Sequence, residues 1–147
     1  MIRFGYLSFV SVVSMLLFMG SCSSELPKIN YGKDTCALCK MTIMDKKFGA
    51  VLVNAKGKQL KFDSGECMAG YLKADKDFNP QQILVADYAH PETLTDATTA
   101  HFLHGGTINS PMGGQLAAFK NRADAEKLQA EFSANLIHWS SVTGIIF

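Results

Sequence analysis

The sequence predicts an α+β fold, with two similar ββαβ units packed together behind a flexible N-terminal tether. Three observations carry that expectation. The run "FGAVLVN" (Phe48 to Asn54) is rich in β-branched residues and ends at the turn "NAKGK", so it forms a hairpin with the following "QLKF". "DSGECMAGYLKA" then opens with Asp63 and Ser64, either able to accept from the free amides of a first helical turn, while Glu66 can reach back to Asp63. The same grammar recurs in the second half, where "QLAAF" precedes a helix as "QLKF" does in the first.

The elements follow in chain order. Residues 1–21, within "MIRFGYLSFVSVVSMLLFMGSC", carry one Arg, an almost uncharged apolar run and then small residues before Cys22, the layout of a secretory signal. Phe4 to Phe18 falls short of the roughly 20 apolar residues that span a bilayer. A small residue followed by Cys22 suits a lipoprotein signal, with Cys22 bearing the lipid and residues 22–34 forming a polar tether. Residues 35–90 make the first unit and 91–147 the second. Cys67, Met68, Tyr71 and Leu72 share one face of the first helix and pack inward. "DKDFNP" ends that helix, and "QILVADY" is the next strand. In the second unit "HFLHGG", the turn "NSPMGG" and "QLAAF" lead to the helix "NRADAEKLQAEF", capped by Asn121 and buried along Ala125, Leu128 and Phe132. "LIHWSSVTGIIF" closes as a strand or two, with Trp139 in the core. A unit of about 50 residues buries too little surface to stand alone, so the two pack against each other.

Charge and cysteine count narrow the function. Without residues 1–21 the chain has 13 basic and 13 acidic residues, and its lysines are scattered, which argues against nucleic acid as a partner. Three cysteines remain besides Cys22, namely Cys36, Cys39 and Cys67, an odd number that does not suit a full disulfide framework.

The sulfur residues cluster. Beyond the signal the methionines are Met41, Met44, Met68 and Met112; three lie within five residues of a cysteine and the fourth sits in a Pro-Gly turn. Core-filling methionines would be spread along buried faces, whereas thioethers grouped with thiols suit copper(I), a soft monovalent ion. Cys36 and Cys39 converge on one ion if "CALC" turns, and an extended "CKM" points Cys39 and Met41 to one side. "SPMGG" presents Met112 from a tight turn, since Pro111 fixes the backbone ahead of it and Gly113 permits positive φ. The candidate ligands are therefore Cys36, Cys39, Met41 and Met112. Two other readings stay open at this level. One is an envelope thiol-disulfide oxidoreductase using Cys36 and Cys39, although such pairs normally open a helix. The other is a zinc-stabilised interaction module, for which Cys67 and a histidine would have to supply the missing donors. Cys67 is either a further ligand or a small core hydrophobe. The four histidines are dispersed, and His101 and His104 fall on opposite faces of a strand.

In this order, behind a lipoprotein-like signal, "DTCALCKM", "FDSGECM" and "SPMGG" resemble the NosL family of nitrous oxide reductase accessory proteins, across essentially the whole mature chain. The resemblance implies a copper(I)-binding metallochaperone of the bacterial envelope rather than an enzyme. It implies two ββαβ units and a lipid anchor at Cys22 facing the periplasm or the cell surface. Nitrous oxide reductase or its maturation machinery would receive the copper for the copper-sulfide centre. Motif by motif, the metal-binding thiol and thioether fall on Cys39 and Met41 and the turn methionine on Met112. Cys36 matches the first motif cysteine, and no role passes to Asp63 or Cys67. Met19 departs from the aliphatic residue usual three positions before the lipidated cysteine. A homodimer completing an open copper site is a further assembly to test.

Overall fold

The computed structural model describes residues 26–145. The expected signal segment and Cys22 lie outside the described residues. Strands β1 (Ala50–Asn54) and β2 (Gln59–Phe62) form the first hairpin. Helix α1 (Gly65–Ala74) and strand β3 (Pro80–Ala86) follow. A short strand β4 (Leu94–Asp96) leads into β5 (His101–His104) and β6 (Leu116–Phe119). Helix α2 (Arg122–Phe132), strand β7 (Asn135–Ile137) and the single helical turn α3 (Trp139–Val142) are the last elements among the described residues.

Two antiparallel sheets result, ordered β2-β1-β3-β4 and β6-β5-β7. In each, the first strand of a hairpin lies at the centre and the strand after the helix pairs along its other side, so both halves show the ββαβ order the sequence suggests. β4 is an addition that pairs with β3, extending the first sheet to Asp96.

The local reasons for these elements match the sequence in part. Ser64, in extended conformation, caps α1 by accepting the Cys67 amide at 3.3 Å. Cys67 and Met68 are buried, and Tyr71 and Leu72 pack partly against the same core. Asn121 occupies the cap position of α2 but makes no side-chain bond to its amides; its Nδ2 donates to Asp124 at 3.1 Å instead. The closing segment differs from expectation. β7 pairs with Phe102, Leu103 and His104 of β5, and after it the chain turns at His138 into α3. Trp139 thus sits in a helical turn, tilted 34° against Phe102 at 5.9 Å between ring centres.

The core joins the units. Leu52, Phe62 and Met68 of the first unit are buried with Phe102, Leu116 and Val142 of the second. On the opposite face of the second sheet Leu103, Ala117 and Phe119 are buried against Ala125 of α2. With both faces covered, β6 is buried at all four positions. Packing begins before residue 35: Ile29 and Tyr31 lie against Gly49, where a Cβ would come within 2.5 Å of Ile29 Cδ1. Asp34 also pairs with Lys61 at 2.6 Å. Among the described residues no helix is long and apolar enough to cross a membrane.

Candidate metal centre

An isolated antiparallel bridge between Thr35 and Thr42 closes the thiol-bearing loop. Inside it the Cys36 amide donates to the Met41 carbonyl at 2.8 Å and the Lys40 amide to the Cys36 carbonyl at 3.1 Å. Lys40 takes up a left-handed conformation, φ 66°, to complete this turn. "CALC" is therefore a knuckle that brings its two thiols together. "CKM", by contrast, is not extended, and the left-handed residue between Cys39 and Met41 removes the strand alternation that was to align them.

The loop is docked on the edge of the first sheet, the Ala37 amide donating to the Lys61 carbonyl at 2.8 Å. Lys61 lies two residues before Asp63, where β2 gives way to α1. Docking there brings the start of α1 to the knuckle. The Sγ atoms of Cys36, Cys39 and Cys67 and a carboxylate oxygen of Asp63 all lie within 4.8 Å of one another. All three cysteines carry free thiols. Cys36, Cys67 and Asp63 are buried at 0%, 3% and 3% exposure, whereas Cys39 is half-buried. Cys39 Sγ donates to Asp63 Oδ2 at 3.4 Å, and Asp63 Oδ1 is buried with no partner among the described residues.

The thiols are electrostatically unequal. A hydrogen bond from the Cys67 thiol, with backbone amides of Asp63, Cys39 and Leu38 aimed at the same sulfur, holds Cys36 down to about 6. The same bond to Cys36, together with burial, pushes Cys67 up. Burial, with hydrogen bonds to Cys36 and Asp63, raises Cys39. Cys36 is thus the most acidic of the three thiols, with the Cys67 thiol donating towards it.

The methionine turn approaches from the second unit. Ser110, 4% exposed, donates to Glu66 Oε1 of α1 and accepts the Gln115 amide at 2.9 Å. The Gly113 amide closes on the Ser110 carbonyl at 2.9 Å, with Gly113 and Gln115 both left-handed. Glu66, expected to reach back to Asp63, is instead a buried strut between α1 and this turn. An open cleft of about 380 Å³ separates the two loops, lined by Met41, Thr42 and Met44 on one and by Asn109, Ser110 and Pro111 on the other, with Asp63 also in its wall. Met112 follows in the chain, outside that wall and 45% exposed; Met41 and Met44 are 57% and 68% exposed.

Cys36, Cys39 and Met41 thus share one loop, and Met112 belongs to the loop facing it across the cleft. Sequence reasoning gave no role to Asp63 and left Cys67 undecided; both join the thiols. Among the described residues no histidine does. Three thiols and a carboxylate at this spacing can hold a four-coordinate or three-coordinate soft or borderline cation, and the exposed thioethers favour the soft end of that range.

Comparison with known proteins agrees with this architecture. No curated protein sequence matches the chain. Among solved structures, the crystal structure of the copper chaperone NosL from Shewanella denitrificans is similar, with a TM-score of 0.65 and 20% identity over 80% of this chain and 98% of that one. That likeness establishes a shared fold. The family itself is decided by sequence, since the NosL family model matches residues 29–145, running from the docked Ile29 through knuckle, cap and methionine turn to the last helical turn. The chain is a member of the NosL family.

Proposed function

We propose that this protein is a copper(I) metallochaperone, a carrier rather than an enzyme, which takes up the ion through Cys36, Cys39, Met41 and Met112 and surrenders it to a partner. One observation carries the reading: three free thiols converge beside a cleft edged by exposed methionines. Thiolates supply affinity for the soft ion, and thioethers that stand in solvent supply a place where an incoming ligand can attack it. The similar Shewanella protein is itself called a copper chaperone.

The client we propose is nitrous oxide reductase, through maturation of its copper-sulfide centre, on the strength of family membership. A lipid on Cys22 would hold the carrier at the cell envelope on a short leash. Metabolic labelling with a fatty-acid analogue tests the anchor, because a Cys22→Ala variant should lose the label. Titration with copper(I) against a competing chelator tests the cargo. One ion per chain should bind tightly, and Cys39→Ala with Met41→Ala should weaken binding by tenfold or more; a smaller loss would sink this assignment. Turnover of a disulfide substrate that survives loss of Met41 and Met112 would favour a thiol oxidoreductase instead.

A further inference from the structure

The geometry points to two copper(I) positions that share Cys39: an outer one with Met41 of the cleft wall and Met112 of the facing turn, and an inner one with Cys36 and Cys67 beneath it. This inference rests on the copper reading above and adds Cys67 as a ligand. The inner set is preassembled, its sulfur atoms lying within 4.8 Å of each other. Three thiolates around one cuprous ion need separations of about 4 Å, given metal-sulfur bonds near 2.3 Å. The sulfurs therefore need to close by less than 1 Å from the widest separation this geometry allows.

Burial sets the order of entry. Cys36 and Cys67 are 0% and 3% exposed, while Cys39 is half-buried, so among the three thiols Cys39 is the one an ion meets from solvent. Asp63 marks the junction, lining the cleft and also standing within the thiol cluster. Its carboxylate is too hard a donor to retain copper(I). Before an ion binds, its bond from Cys39 Sγ orients that sulfur between the two sides, and this bond is given up when the thiol loses its proton to bind the ion. Inward movement is a ligand exchange with no change of oxidation state. The ion keeps its bond to Cys39, whose thiol proton leaves to solvent on uptake, bonds to Met41 and Met112 break, bonds to Cys36 and Cys67 form, and any proton on an incoming thiol leaves to solvent. The inner position retains the ion and the outer one hands it on.

Competitive copper(I) titration and X-ray absorption on the intact protein test this assignment, in parallel with Cys67→Ala, Cys36→Ala and the pair Met41→Ala with Met112→Ala. Cys67→Ala and Cys36→Ala should each lower affinity at least tenfold and remove one short sulfur contact. The methionine pair should keep affinity within about threefold yet slow release to a competing thiol at least tenfold. If Cys67→Ala retains a cooperative melt and its affinity changes less than threefold while the methionine pair loses affinity, the inner position is refuted and the copper carrier stands. Should the unaltered protein fail to bind copper(I) tightly, both readings fall. Cys36→Ala guards against a folding artefact at Cys67, because it removes the same proposed position from the loop rather than from the helix.

Discussion

Ser110→Ala is the sharpest test of how the second unit presents its methionine. The hydroxyl donates to the buried Glu66 carboxylate and accepts the Gln115 amide, so one substitution removes two bonds. A hydrogen bond to a charged group contributes about 1.5–3 kcal/mol and an ordinary one about 1 kcal/mol. The expected loss is about 3 kcal/mol, a large part of the roughly 5–15 kcal/mol by which a domain is stable. Glu66→Gln keeps an acceptor facing Ser110 and should cost about 1 kcal/mol. Urea unfolding gives both figures. Amide exchange locates the effect, since the Gln115 amide should lose at least tenfold of its protection in Ser110→Ala, and copper(I) release should change because the turn holding Met112 has come loose. A loss under 1 kcal/mol with unaltered exchange at Gln115 would show that the Glu66–Ser110 strut does not hold this turn.

Other outcomes follow from single features. Gly106→Ala should destabilise by about 3 kcal/mol or more in urea unfolding, since φ is +64° and the added Cβ would lie 1.8 Å from the Phe132 carbonyl oxygen. Burial, followed by the charges of Glu92 and Asp45, pushes Tyr31 up to about 12. The unfolded chain therefore releases this proton first, and stability should fall as pH rises from about 10 to 12, by at most about 2 kcal/mol after allowance for partial exposure. Tyr31→Phe should flatten the urea midpoint across that window while leaving the profile below pH 10 unchanged. Metal removal by chelators should leave a cooperative thermal transition, because the core around Phe62, Met68 and Phe102 is built from apolar side chains of both units; unfolding on chelation would favour a zinc-stabilised module.

What was legible in the sequence tracks the range of the interactions. The "NAKGK" turn, the Ser64 cap and the inward face of α1 are set within a few residues, and each can be read from composition and spacing. The knuckle belongs to the same class, because two thiols three positions apart meet whenever the two residues between them turn. Asp63 and Cys67 meet them for a different reason. They follow β2, and the Ala37–Lys61 hydrogen bond lays the knuckle on that strand near its end. No local pattern announces such a docking; an odd, unpaired third thiol was the available hint. Glu66 misled for a similar reason. Its position suits a capping box, yet a tertiary partner, Ser110, took the carboxylate. The final strand is shorter than "LIHWSSVTGIIF" suggests, since β-branched content does not tell a strand from the helical turn that follows Ile137.

The exposed apolar side chains add a step that packing alone does not explain. Among the described residues, the large ones are Leu26, Leu38, Met41, Met44 and Met112. Leu26 lies near the start of the described chain; the other four belong to the thiol loop and its flank or to the methionine turn. Folding would favour turning such side chains inward, at roughly 25 cal/mol for each Å² removed from water. Core demand does not account for their type either, since Met68 is buried while its three counterparts stand out. The soft cargo proposed above would supply the physical reason. Thiolates and thioethers both suit copper(I), and polar oxygen donors do not. Solvent-facing thioethers beside a buried thiol cluster let the ion be held in one place and attacked in another. On this account, replacing Met41, Met44 and Met112 together by glutamine should leave stability within about 0.5 kcal/mol, as expected for exposed positions. The same change should slow copper(I) exchange at least tenfold, and a triple variant that exchanges normally would mean that these sulfurs are ordinary surface.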